Sequence, residues 1–395
     1  MKNNMKYASV ASFLFVFIMF SFALSIPQLI ETKDGVLIVH NLKGGKRGKN
    51  LRVSLELVRT VGDINTLDEN FTFHNPEDIA LDSKGNLYIL DSGNHRIQKF
   101  SPQGSFISSF GQIGQGPGDF NNPTSIEIDP YDTIYVADPR NHRICIFSSD
   151  SKRPKTIKLL NFNTEKVRYL SKNRLAVGGF YSAGMYSARK KALPKLLLII
   201  DLNGNIQREI GDSLEYEKWI ENWWGNRYEF DIDARGNFYF VFEHQNRIEK
   251  YNPAGKLLWR ADRVLNFDIY NPKYMWEVVV GNRSGHQEVA LPAKMAQGIA
   301  VDKKDKIWVL TFNRPLRKEE QSSEVVLSDQ VIRNKEDEIE KSDAFKLEIF
   351  DGNGFLLGEI MLNHLANGIR IYENFLFVWD VQSTKYYQYK IIDKL

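Results

Sequence analysis

The sequence predicts an all-β fold, a six-bladed β-propeller built from four-stranded antiparallel blades, and three observations predict it. Residues 76–100 recur at 123–147, every matched position is shifted by 47, and ten of the 25 positions are identical. Fainter copies follow at offsets of 151 and 220 from the first. Within each copy, short runs of Ile, Val, Leu, Phe and Tyr alternate with Gly, Pro, Asn and Asp, the chemistry of strands joined by tight turns. A unit of about 40–50 residues cannot bury both of its faces alone, so several copies must stack around a shared axis.

The elements follow in chain order. In the first copy, 78–81 and 86–91 read as two strands joined at Ser83-Lys84-Gly85, and 96–100 and 105–110 as two more joined at Pro102-Gln103-Gly104. The second copy repeats this arrangement. A worn third copy keeps Arg174-Leu175-Ala176-Val177, the apolar run 196–200 and a turn at Asn203-Gly204. The fourth matches the first at Asp233, Gly236, Asn237, Tyr239, Arg247, Pro253 and Gly255, and the fifth at Ile299, Ala300, Asp302, Ile307 and Trp308. The sixth, 368–392, lacks a fourth strand. Residues 55–62 look like the fourth strand of the first copy and are expected to supply it, closing the ring across the two chain ends.

The pattern from Pro76 through Ile79, Asp82, Tyr88, Asp91 and Asn94-His95-Arg96-Ile97 to Phe100 resembles the NHL repeat, as does its copy from Pro123 to Phe147. The layout of residues 55–395 is also similar to that of exported bacterial six-bladed propellers. The NHL resemblance implies a binding platform for proteins, RNA or small ligands. Some six-bladed relatives, the peptidyl-hydroxyglycine lyases and the lactonases, are metal-dependent enzymes, and fold alone does not choose between these roles.

Composition narrows the choice. With 52 basic and 49 acidic residues the chain carries +3, which gives no general affinity for nucleic acid or membrane. The one basic cluster, Lys43, Lys46, Arg47, Lys49 and Arg52, reads as a solvated loop in an N-terminal extension, 26–54. Lys2 and Lys6 followed by an uncharged stretch over 7–30 read as a secretory signal peptide, 1–25, cleaved after Ser25. The alternative is an uncleaved anchor, the one expected link to a membrane. The expectation is therefore a monomer that is exported to the periplasm, the cell surface or the medium. Cys145 is the only cysteine, which excludes an intrachain disulfide and thiolate zinc sites; flanked by Ile144 and Ile146, it reads as a small buried hydrophobe.

Strand direction alternates within a blade, so turns between first and second strands, and between third and fourth, share one end of the ring. These turns are all short. The four long excursions, 179–194, 212–228, 262–296 and 313–343, all belong to the other end. Long loops on a rigid scaffold are where function concentrates. The segment 212–228 holds Trp219, Trp223, Trp224 and Arg227, and 179–194 holds Tyr181, Tyr186 and Arg189. Aromatic side chains here either grip a ligand at little entropic cost or plug the ring. The charged insertion 313–343 reads as a solvated excursion with helix-favouring 336–341.

Groups that recur blade after blade read as structural, because a catalytic site is assembled once. These are Asp91, Asn94 and Arg96 with Asp138, Asn141 and Arg143, and the turn aspartates Asp82, Asp129, Asp233 and Asp302. His74, His286 and His364 each precede an inner strand on the long-loop rim. Three imidazoles there would make a weak candidate site for zinc (or calcium beside carboxylates), leaving a position open to substrate. No nucleophile elbow or phosphate loop is present. The expected function is a non-catalytic binding scaffold, without cofactor, for a peptide, glycan or protein partner; the alternative is a metal-dependent lyase or hydrolase at the channel mouth.

Overall fold

The computed structural model describes residues 28–42, 51–63, 66–148, 154–159, 161–181, 195–216, 219–273, 276–282, 285–321, 324–327, 330–333 and 341–394. Blade 1 consists of Pro76–Leu81, Leu87–Asp91, Arg96–Phe100 and Phe106–Phe110, in that spatial order. Blade 2 runs Ser125–Ile128, Ile134–Asp138, Arg143–Phe147 and Lys155–Ile157, and blade 3 Phe162–Ser171, Arg174–Tyr181, Lys195–Asp201 and Ile206–Asp212. Blade 4 runs Tyr228–Ile232, Phe238–Phe242, Ile248–Tyr251 and Leu257–Asp262, and blade 5 Ala296–Val301, Ile307–Phe312, Phe345–Phe350 and Leu356–Met361. Blade 6 takes three strands from the C-terminal part, Gly368–Tyr372, Phe375–Asp380 and Lys385–Asp393. Its outer strand is Val53–Val61, paired antiparallel with Lys385–Asp393, Leu57 opposite Tyr389 and Thr60 opposite Tyr387. The ring closes as the sequence predicts.

Each of the six hydrophobic clusters fills one junction between neighbouring blades. Ala80, Tyr88 and Leu90 of blade 1 meet Ile126, Val136 and Cys145 of blade 2. Val61, Phe377, Trp379 and Tyr386 of blade 6 meet Ile79, Ile89 and Phe100 of blade 1. Burial holds the Cys145 thiol at a pKa pushed up to about 12, so it is an inert core residue. Packing within a blade leaves no room to spare: a Cβ at Gly368 would stand 2.1 Å from the indole of its strand partner Trp379.

The repeated polar residues are latches. Asp82 accepts from the backbone N–H groups of Lys84 and Asn86, at 3.0 and 2.9 Å, and Asp129, Asp233 and Asp302 close their turns in the same way. Asp138 accepts from Asn121 N, Asn141 Nδ2 and Arg143 Nε, while Arg143 also donates to the carbonyls of Gln115, Gly116 and Asp119. One carboxylate and one guanidinium thus pin the incoming linker to its blade. Asp91 and Arg96 repeat the device, with Arg96 donating to the Glu69 and Thr72 carbonyls. His95 and His142 hold left-handed backbone after these turns, at φ 55° and 51°.

The N-terminal extension is not a bare leader to the closing strand. Gln28–Lys33 and Val36–Asn41 form a hairpin around Asp34-Gly35, both at positive φ, and its second strand runs parallel along Leu257–Asp262, widening blade 4 to six strands. Asn41 joins it to blade 5, donating to the Gly354 carbonyl and accepting from Leu356 N. Two further hairpins, Trp276–Asn282 with Gly285–Leu291 and Glu324–Leu327 with Gln330–Arg333, stand within the long excursions. The insertion expected to be solvated is clamped at its base: Arg314 grips Glu320 at 2.6 and 2.7 Å and also bonds Asp343, and Ser342 donates to Glu320. Of the helix expected over 336–341, all but Lys341 lies outside the described residues, as do the signal segment and most of the basic cluster.

Arg143→Ala strips a buried carboxylate and three carbonyls of their donor together. It is expected to cost about 3 kcal/mol or more. Arg96→Ala is expected to cost less, because the Arg96 side chain is 21% exposed against 7% for Arg143. Urea unfolding midpoints of the two variants test this ordering; equal losses would contradict it.

Candidate functional site

The strand topology makes all four long excursions leave and rejoin the blades at one end of the ring, and the helix Trp219–Gly225 and both extra hairpins lie within them. A cleft opens on this rim between blades 3 and 4, with a volume of about 30 Å³, room for a head group or about two waters. Its walls come from Glu165 and Lys166 on one inner strand, Arg227 and Tyr228 at the start of the next, and Asn222 and Asn226 of the helix and its exit. Gly179 lines the cleft, and the neighbouring Gly178 lets the strand lie close to blade 4: a Cβ there would stand 2.8 Å from the Phe230 ring and 3.0 Å from the Tyr228 hydroxyl. Tyr228 in turn accepts from Gly179 N at 3.1 Å and donates to the Leu196 carbonyl. The helix is fixed by amide side chains acting as backbone: Asn222 exchanges hydrogen bonds with Tyr216, and Asn226 with Leu214.

Charges around the cleft are mostly matched. Lys166 Nζ lies 2.6 Å from Glu229, Lys195 bonds Asp212, and Arg227 Nε donates to Glu243 at 3.3 Å while its guanidinium covers the Trp224 ring at 4.9 Å. Burial would lower the Arg227 pKa, but the Glu243 and Glu165 carboxylates hold it above its ordinary value. Glu243 stays ionised, because Lys294 and Arg227 outweigh its burial. Tyr181 is committed to the core: its ring meets Phe162 edge-on at 5.1 Å, and its hydroxyl donates to Glu209. Of the residues singled out in the sequence, Tyr181 and Arg227 line the cleft, with Trp224 against Arg227. Tyr186 and Arg189 lie outside the described residues, and Trp219, Trp223 and His286 are described in backbone only.

The three histidines do not form a common site among the described groups. His364 is buried, stacked on Tyr387 at 3.7 Å, with Nδ1 on the Leu365 carbonyl and Nε2 on the Tyr389 hydroxyl, both at 2.7 Å. Burial lowers its pKa, and a neutral ring donating from Nδ1 and accepting at Nε2 fits both contacts. His74 is exposed beside blade 1. Among the described residues no three His, Cys, Asp or Glu side chains are grouped to hold a metal ion.

A second set of charges lies on the axis, where inner strands approach one another. Arg370 of blade 6 forms a fork on Asp78 of blade 1, at 3.0 and 2.8 Å. Asp78 also accepts from Ser125 Oγ and Ile126 N of blade 2, and Arg168 of blade 3 donates to Ser125. Lys166 then reaches Glu229 of blade 4, and Asp231 of blade 4 accepts from Val301 N of blade 5. Burial would raise the Asp78 pKa, yet Arg370 and Arg168 hold it below its ordinary value. Glu127 is the exception: 3.8 Å from Arg370, it is dominated by burial and repelled by Asp78 and Asp231, and its pKa is pushed up from 4.5 to about 7. Sequence reading missed this network and Glu165. The available signal was charge on inner strands at repeat positions elsewhere filled by Ala or Gly: Glu127 and Asp231 stand where blade 1 has Ala80.

A carboxyl whose pKa is raised by folding binds a proton that the unfolded chain has released, so stability falls as pH rises from about 4.5 to about 7. Glu127 alone is expected to account for about 3 kcal/mol of that fall. Glu127→Gln should unfold at higher denaturant than the parent at pH 8, and the difference should vanish near pH 4. A difference independent of pH would contradict the assignment.

Comparison with known proteins agrees with the architecture. No curated protein sequence matches the chain. A member of the DUF4221 family from Bacteroides vulgatus superposes with a TM-score of 0.53 at 10% identity, over 87% of this chain and 99% of that one. A putative exported protein from Bacteroides fragilis does so with a TM-score of 0.52 at 12% identity, over 91% of this chain and all of that one. A virginiamycin B lyase from Staphylococcus aureus has a TM-score of 0.46 at 12% identity, over 86% of this chain and all of that one, too distant to bear on chemistry. The family described as 6-bladed beta-propeller, DUF5128, matches residues 63–271, more than half of the sequence, and the chain belongs to that family.

Proposed function

We propose that this propeller is an exported, NHL-like binding scaffold that captures a peptide, glycan or protein partner on its long-loop rim without converting it. The observation that carries this reading is that the four longest excursions, with the helix and the cleft, leave the ring at one end, while the longest connection between paired strands at the other end is 148–154 in blade 2. The N-terminal sequence over 1–25 supports export. The engaged ring nitrogens of His364 speak against His74, His286 and His364 acting together as metal ligands.

The mature protein applied to peptide and glycan arrays tests the reading. Removing 322–340, which leaves the Arg314–Glu320 clamp in place, or replacing Trp223 by Ala, is expected to cut the captured signal about tenfold in at least one variant. Undiminished capture by both variants, or turnover of peptide-amide or lactone substrates, would overturn it.

A further inference from the structure

The inner strand of blade 3 carries a β-bulge: Thr164 pairs with Gly179 and Lys166 with Gly178, leaving Glu165 as the extra residue. Bulges re-aim a side chain out of the ladder. Here the Glu165 carbonyl is pinned by the Thr124 hydroxyl of blade 2 at 2.6 Å, and the residue becomes part of the cleft wall. Every cation lining the cleft faces a carboxylate: Lys166 has Glu229, Lys195 has Asp212 and Arg227 has Glu243. The half-buried Glu165 carboxylate has no hydrogen bond or ion pair among the described residues. A partly desolvated acceptor without donors is costly, and a charged donor arriving from a ligand gains what the protein leaves unsatisfied.

We infer that Glu165 is the anchor for a positively charged head group, the ammonium of a lysine side chain on a polypeptide partner. The inference rests on the rim being the binding face and names the chemistry that the cleft selects. The volume of about 30 Å³, room for about two waters, accommodates a small head group such as an ammonium. The walls fit the remainder of such a side chain: Gly179 offers bare backbone, and Tyr228 and Tyr181 flank it. An anionic head group would meet the Glu165 charge and would have to compete with Glu243 and Asp212 for Arg227 and Lys195.

Titration calorimetry of the mature protein with acetyl-Gly-Lys-Gly amide, its ε-acetyl-lysine form and its glutamate counterpart tests this. The lysine peptide should bind. Acetylation, or Glu165→Gln in the protein, should weaken binding about tenfold or more, and Glu373→Gln at the opposite end should leave it unchanged. Because the Glu165 carboxylate makes no hydrogen bond or ion pair among the described residues and acts on Arg227 only from beyond contact distance, Glu165→Gln should melt near the parent temperature, which separates lost recognition from lost structure. Equal affinity of Glu165→Gln for the lysine peptide overturns the inference. Preferential binding of the glutamate peptide that is lost in Trp223→Ala also overturns it, yet keeps the rim as the binding face. Peptide binding indifferent to both Glu165→Gln and Trp223→Ala overturns both.

Discussion

The joint between the last blade and the first carries the whole architecture. Each blade buries its two faces against its neighbours, so a ring with one open joint exposes two apolar faces at once. Here the joint is held three ways. Val53–Val61 completes blade 6 from the other end of the chain, Phe377 and Tyr386 pack on Ile79 and Phe100, and Arg370 reaches across to Asp78. A buried ion pair is no guarantee of net stability, but this one fixes which blade follows which, since losing either partner strands a charge on the axis.

That rigidity explains how the rim is organised. At one end the turns between first and second strands at Asp82, Asp129, Asp233 and Asp302 are short and closed by the repeated aspartate, which leaves them little freedom to vary. At the other end, the Asp91–Arg96 and Asp138–Arg143 latches tie down the linkers entering blades 1 and 2. The Arg314–Glu320–Asp343 clamp does the same for the longest insertion, and Arg314 holds the Glu320 carboxyl down to about 2 against the opposing pull of burial. The cleft between blades 3 and 4 takes its shape from Gly179, the Tyr228 hydroxyl and the bulge at Glu165.

Much of this was legible in the sequence. The interval of 47 between His95-Arg96 and His142-Arg143, and the return of a blade-like strand before residue 62, announce a closed ring, because repeats and turn residues are local signals. The N-terminal hairpin on blade 4 was not legible: it depends on a parallel pairing across more than two hundred residues, and parallel edge pairing leaves no local mark. The loop lengths located the rim, and Arg227 and Trp224 fell near the cleft. Glu165 was invisible because a bulge cannot be told from ordinary alternation without its partner strand. The axial charges were hidden because the same residue types on an inner strand fit a solvated face equally well. His364 looked like a ligand until its partners, Leu365 and Tyr389, were in view.

Native-state hydrogen exchange across the closing joint measures whether the ring opens there on its own or only as a whole. If one cooperative ring is latched at that joint, the amides of Val53–Val61 paired with Lys385–Asp393 should exchange only through global unfolding, with the same free energy and denaturant dependence as the amides of Leu87–Asp91 in blade 1. Exchange of the closing strand through a separate opening, well below the global value while blade 1 stays protected, would contradict it.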